Sequence, residues 1–156
     1  MPLPVVFIAA DHRGFALKAR LIAWLGEHGY VAKDLGARST ERCDAIDFAR
    51  QMAAEIGGKE GSFGVLICGT GQAMAMTANR YRHLRAALCA DTTTARLARE
   101  HNDANILALG ADIVGPEVAV DCLETFLKTQ ALGGRYAARR DKLAALGGMS
   151  AASGTQ

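Results

Sequence analysis

The chain has 156 residues, half of them hydrophobic and 22% charged, with a net charge of +2. That length holds one ordinary folded unit with a real core, and the composition excludes a disordered chain. No long uncharged apolar run is present, which argues against a membrane span. Lys and Arg are spread out, apart from a cluster of Arg135, Arg139, Arg140 and Lys142, so no nucleic-acid partner is expected.

The chain opens Met1-Pro2-Leu3-Pro4 without a basic segment and cleavage site, so it does not read as a signal peptide, and a cytoplasmic location is expected. Val5-Val6-Phe7-Ile8-Ala9 is β-branched and apolar, a strand. Leu17, Leu21, Trp24 and Leu25 then keep one helical face apolar. The alternation over 30–35 predicts a second strand, and Ala45, Ala49, Met52, Ala53 and Ile56 return to helical spacing. Gly64-Val65-Leu66-Ile67-Cys68 reads as a buried strand, followed by a Gly-containing turn and a helix over 72–80.

A fourth strand is predicted over 86–90 and a helix over 92–102, with Asp91 or Thr92 able to cap it. A fifth strand covers 106–109. Gly115-Pro116 opens a helix in which Ala119, Leu123, Phe126 and Leu127 share a face, and a last helix covers 137–146. Alternating strands and helices with apolar strands predict a doubly wound, three-layer α/β sandwich, Rossmann-like, on a five-stranded parallel sheet. A flavodoxin-like strand order 2-1-3-4-5 would put the loops after strands one and three beside each other. Residues 1–146 read as a single domain. Residues 147–156 are small, polar and Gly/Ser-rich, and are expected to form a flexible tail.

Ligands of such sheets bind beyond the carboxyl ends of strands, so the residues after each apolar run matter most. Strand one is followed by Asp11-His12-Arg13-Gly14, strand three ends in Cys68-Gly69-Thr70-Gly71, and the helix after strand four closes with His101-Asn102-Asp103. Asp11, His12, Cys68 and Thr70 are expected to share a crevice. The Gly69-Thr70-Gly71 turn lets backbone N–H groups converge on an anion or developing oxyanion. It is not a P-loop, because no Lys follows. As a dinucleotide fingerprint it lacks its third glycine, which Met74 replaces, although Asp91 lies where a ribose-binding acid belongs. Cys43, Cys68, Cys89 and Cys122 form no Cys-x-x-Cys pair and no zinc-like spacing, so reduced thiols are expected.

Four blocks together are specific: Asp11-His12-Arg13-Gly14-Phe15-x-Leu17-Lys18, Cys68-Gly69-Thr70-Gly71, His101-Asn102-Asp103-Ala104-Asn105 and Gly133-Gly134-Arg135-x-x-x-Arg139. In order and separation they resemble the signature blocks of ribose-5-phosphate isomerase B and its galactose-6-phosphate isomerase relatives, from about Val5 to Leu143. The resemblance implies an aldose–ketose isomerase that converts ribose 5-phosphate and ribulose 5-phosphate through an enediolate, with no metal and no cofactor. It also implies a small phosphorylated sugar as substrate and a homodimer or dimer of dimers with shared active sites.

Carried over, Cys68 looks like the base that takes the proton beside the carbonyl; its alternative is a buried structural cysteine. Thr70 would move a proton between substrate oxygens, or merely cap a helix, while amides of the segment including Gly69, Gly71 and Ala73 would hold the enediolate oxygen. His101 and Asp11 resemble the ring-opening pair, although a His ending a helix also suits the helix dipole. Asn102 would bind substrate hydroxyls, and Asp103 would fix the turn. His12, Arg135 and Arg139 resemble the phosphate contacts, two arginines four apart presenting two forks on one helix face.

Some positions depart from the family pattern. Asp112 stands where Arg is usual, a charge reversal that should weaken anion binding; Tyr136 replaces a His, Ala45-Ile46 a Tyr-Pro pair, and Ala73 a Gly. They motivate two other readings: the same isomerisation on a tetrose or hexose phosphate, or a protein that binds a sugar phosphate or nucleotide without chemistry.

Overall fold

The computed structural model describes residues 2–151. Each of the five segments read as a strand is one. In chain order the elements are β1 Val5–Ala10, α1 Phe15–Glu27, β2 Val31–Asp34, α2 Ala45–Ile56, β3 Phe63–Cys68, α3 Gln72–Ala78, β4 Ala86–Leu88, α4 Thr92–Asn102, β5 Ile106–Gly110, α5 Pro116–Lys128 and α6 Arg135–Ala145. The strands form one parallel sheet in the order β2-β1-β3-β5-β4. This corrects the expected order at one end: β5 lies inside and β4 at the edge. The reason is burial. All five β5 residues are buried, whereas β4 is three residues long and partly exposed, the pattern that suits an edge.

Apolar side chains cover both faces of the sheet. On one face, Val6, Ile8, Val65, Leu107 and Leu109 meet Leu17, Leu21 and Leu25 of α1 and Ala119, Leu123 and Phe126 of α5. On the other, Phe7, Ala9 and Leu66 meet Ala49, Met52 and Ala53 of α2 and Met74 and Ala78 of α3. These side chains are almost wholly buried, and each Val, Leu, Ile, Phe and Met among them contributes on the order of 1.5–3 kcal/mol relative to exposure. The two clusters make the sandwich three layers deep.

Local chemistry sets the helix ends. Asp44 caps α2 by accepting from the Ile46 amide at 2.9 Å, and Asp91 caps α4 by accepting from Thr94 at 2.7 Å. α3 stops before residue 80 because Asn79 turns to β4: its Oδ1 accepts from the Ala86 amide at 2.8 Å and its Nδ2 donates to the Ala86 carbonyl at 2.9 Å. α6 starts two residues earlier than its spacing suggested, directly after Gly134, whose φ of 61° lies in the glycine-favoured region.

At the start of the expected tail, Met149 exchanges backbone hydrogen bonds with Arg80 and Arg82, and the Arg82 guanidinium donates to the Gly148 carbonyl at 2.9 and 3.1 Å. The rest of that segment, 152–156, lies outside the described residues. No helix among the described residues is long and apolar enough to cross a membrane.

Candidate active site

β1 and β3 are neighbours, paired from Val6↔Phe63 to Ala10↔Ile67, so the loops leaving their carboxyl ends meet. Asp11, only 6% exposed, donates its amide to the Ile67 carbonyl at 3.1 Å. Its Oδ1 accepts from the amides of Arg13 at 2.9 Å and Gly14 at 3.2 Å, a turn closed by the side chain itself. Gly14 is required there: a Cβ would lie 2.7 Å from Ile67 Cγ2 and 2.8 Å from the Ile67 carbonyl oxygen.

Cys68 ends β3, buried, and the Gly71 amide donates to its Sγ at 3.1 Å. That contact sets the positive end of a backbone dipole against the sulfur. Gly71 has φ +76°, and a Cβ there would fall 2.5 Å from Leu88 Cδ1 and 3.0 Å from the Leu109 carbonyl carbon, so glycine alone makes the turn. Thr70 is exposed, and its Oγ1 accepts from the Gln72 amide at 3.3 Å. Ala73 sits in the first turn of α3 with its methyl packed against the core cluster beside α2.

His12 accepts at Nδ1 from the Cys43 amide at 3.3 Å. A neutral His12 bonded this way carries its proton on Nε2, leaving one N–H for a ligand oxygen. The segment after β2 is held to the same end of the sheet by Lys18, whose side chain is 3% exposed. Its Nζ donates to Asp34 Oδ1 and to the Ala37 carbonyl, both at 2.6 Å. Burial pushes the Asp34 carboxyl up, but the Lys18 hydrogen bond, the Gly36 amide and the charges of Lys18 and Arg38 outweigh it and hold it below the ordinary value. The Ala10 amide donates to Gly36 O and the Ala37 amide to Ala10 O, so this loop braces the residue before Asp11.

Over Gly69 the structure places an ion pair that sequence analysis did not anticipate. Arg13 Nη1 donates to Asp112 Oδ2 at 2.7 Å, with both side chains about half exposed. Burial pushes the thiols of Cys89 and Cys122 up to about 11, so they stay protonated near neutral pH.

The other expected site residues form a second group. His101, one residue before the end of α4, stacks on Tyr136 with ring centroids 4.3 Å apart and planes 6° off parallel. Arg135 and Arg139 flank that ring, their guanidinium carbons 4.9 and 5.7 Å from its centroid, and Arg135 donates to the Tyr136 hydroxyl at 2.9 Å. Asn102 is exposed beside them. Asp103 fixes the turn, as expected: at φ 46° it accepts from Arg99 at 2.7 Å and from Arg85 at 3.4 Å. Asn105 likewise bonds the Arg85 amide and the His83 carbonyl.

The two groups stand at opposite ends of the sheet. Cys68 pairs with Gly110, the last residue of β5, whereas His101 lies just before Ile106, the first. At about 3.3 Å per residue, the strands separate them by roughly 15 Å. The structure therefore brings together Asp11, His12, Cys68, Gly69, Thr70 and Gly71, and separately His101, Asn102, Arg135 and Arg139, but does not join the groups within one chain. Among the described residues, no group of three or more His, Cys, Asp or Glu is placed to hold a metal ion.

Residues 6–143 match the model of the ribose/galactose isomerase family. The chain belongs to that family. The chain is 38% identical to the ribose-5-phosphate isomerase B of Escherichia coli over 141 residues, covering 90% of this chain and 95% of the relative. The solved ribose-5-phosphate isomerase B of Clostridium thermocellum superposes with a TM-score of 0.88 at 40% identity, covering 90% and 95% of the two chains. A Mycoplasma genitalium ribose-5-phosphate isomerase B with bound ribulose-5-phosphate gives a TM-score of 0.87 at 35% identity, covering 90% and 94%.

Within this ribose/galactose isomerase fold, two supporting residues were missed. Gly110 underlies Thr70: a Cβ there would meet the Thr70 carbonyl carbon at 2.7 Å and its oxygen at 2.8 Å. The signal was a strand ending in glycine. Lys18 stands in the first of the four sequence blocks, but nothing in its spacing shows that its ammonium is buried.

Proposed function

We propose that this chain is an aldose–ketose isomerase that interconverts ribose 5-phosphate and ribulose 5-phosphate. The observation that carries the reading is Cys68, held at a strand end with a backbone N–H on its sulfur and Asp11 in the adjoining loop. The family membership supports the same chemistry.

In this reading Asp11 and His101 open the furanose, one taking the proton of the anomeric hydroxyl and the other giving a proton to the ring oxygen. Cys68, as the thiolate, removes the proton from C2 of the open aldose. The electron pair becomes the C1–C2 double bond of an enediolate, and backbone N–H groups of the Gly69–Ala73 turn face its negative oxygen. Thr70 moves the hydroxyl proton between O2 and O1, and Cys68 returns its proton to C1 to give the ketose. His12, Arg135 and Arg139 hold the phosphate, His12 through Nε2–H.

The roughly 15 Å between Cys68 and His101 in one chain means that the set works only if a second copy supplies His101, Asn102, Arg135 and Arg139. A homodimer or dimer of dimers with shared sites meets that need. α6 supports it: no residue of α6 is buried in the single chain, and Leu143 and Leu146 are 48% and 82% exposed. A cytoplasmic location follows from a small, phosphorylated metabolite as substrate.

The test is proton NMR of ribose 5-phosphate in deuterium oxide with wild type and Cys68→Ala. We expect ribulose 5-phosphate with solvent deuterium at the exchanging carbon for wild type, and a loss of at least a hundredfold in the variant. Conversion undiminished in the variant would remove Cys68 from its role. Asp112 beside Gly69 favours one second reading, the same mechanism on a tetrose or hexose phosphate. A substrate panel in which another sugar phosphate outruns ribose 5-phosphate would establish it.

A further inference from the structure

The Arg13–Asp112 pair joins two loops at the mouth of the site. Asp112 is fixed by its own backbone, because its amide donates to the Gly69 carbonyl at 2.9 Å, while the Ala111 amide donates to the Cys68 carbonyl at 2.8 Å. Arg13 is fixed at its base, because its amide donates to Asp11 at 2.9 Å. Their side chains close over the buried Gly69. A Cβ on that glycine would lie 2.9 Å from Arg13 Cδ, 3.0 Å from Arg13 Nη1 and 2.9 Å from Asp112 Oδ2. The guanidinium is thus a cation placed directly above the loop that follows Cys68, in the same run of residues as Asp11 and His12.

The pair is easily opened. Arg13 and Asp112 side chains are 61% and 52% exposed, and an ion pair in that setting contributes about 0–1 kcal/mol. A phosphate monoester is a better partner for the same guanidinium, since it carries up to two negative charges and accepts two parallel N–H bonds. The Asp112 backbone is bonded to Gly69, so its carboxylate stays beside the same approach route and repels an incoming anion.

We propose that Arg13 is a substrate-binding residue that takes the phosphate of the sugar phosphate, and that Asp112 is the counter-ion the phosphate displaces. The inference rests on the sugar-phosphate isomerase reading above. It identifies a cation on the Cys68 side of the site in a chain whose position 112 carries a carboxylate. Asp112 thereby acts as an internal competitor that sets how tightly the anion is held.

The experiment is steady-state kinetics with ribose 5-phosphate, with inorganic phosphate as competitive inhibitor, on wild type, Arg13→Ala, Arg13→Lys and Asp112→Asn. Arg13→Ala is expected to raise KM and the phosphate inhibition constant by roughly tenfold or more, with the loss falling on KM rather than kcat. Arg13→Lys keeps the charge but loses the fork, and should fall between. Asp112→Asn removes the competitor and should lower both constants by about threefold. A merely structural pair would leave the phosphate inhibition constant of Arg13→Ala within twofold of wild type, and that result overturns the proposal. A rise in both constants for Asp112→Asn would overturn the displacement.

Failure of the isomerase reading appears separately, as a wild type that does not convert ribose 5-phosphate. Thermal stabilisation by inorganic phosphate, lost in Arg13→Ala and strengthened in Asp112→Asn, still reads the anion site in that case. Stabilisation unchanged across the variants overturns it.

Discussion

The site depends on residues whose contribution is the space they leave. Gly110 is the clearest case, because the Thr70 backbone rests where its side chain would be. Gly110→Ala would push Thr70 outward by a few tenths of an ångström or more, and misplacement on that scale damages catalysis far more than folding. We predict a fall in kcat of roughly tenfold to a hundredfold, against a destabilisation of about 1–3 kcal/mol from overpacking. Turnover measured beside thermal unfolding separates the two, and equal kcat in variant and wild type would show that Thr70 need not lie where it does. The same scale explains what sequence could and could not supply. Asp11, Cys68 and His101 stand out in the sequence as candidates because their chemistry is rare and their blocks specific. The Arg13–Asp112 contact was not, because the two residues are 99 positions apart and meet only after β1 and β5 are set on either side of β3.

Among the elements, strands and helices were legible wherever an apolar period ran long enough, as in β1, β3, α1 and α5. The order of β4 and β5 was not, since strand order depends on which strand buries both faces, and the three-residue β4 carries little signal. The helix ends that differed, at Asn79 and Gly134, were set by a side-chain-to-strand bond and a glycine conformation that periodicity does not register. The loop after β2 offers an element-scale test. It is held by buried Lys18, so Asp34→Ala would leave that ammonium with the Ala37 carbonyl as its remaining partner among these contacts. Because the Asp34 side chain itself is 37% exposed, losing it costs about 1–2 kcal/mol, less than for a fully buried pair, and a loss well under 1 kcal/mol in denaturant unfolding would contradict this role. Because the folded pKa of Asp34 is depressed, its contribution is complete above the ordinary value of 3.8 and is lost as pH falls through the lower folded value. Wild type should therefore lose more stability than Asp34→Ala in that acid range.

At the scale of the whole molecule, the parallel sheet divides the residues of the proposed site: Cys68, the turn amides and Asp11 lie at one end, His101 and the two α6 arginines at the other. A helix that follows a parallel strand must run back to the sheet's amino end, so α4 delivers His101 away from the Cys68 of its own chain. In the proposed homodimer, association of two copies turns this separation into a site. Mixing two inactive variants tests that directly, with Cys68→Ala and His101→Ala unfolded and refolded together and ribulose 5-phosphate formation measured. If each site takes Cys68 from one subunit and His101 from the other, every mixed dimer regains one intact site, and the mixture should recover about a quarter of wild-type activity. Activity that stays at the level of the separate variants, with mixed dimers present, would contradict the shared site.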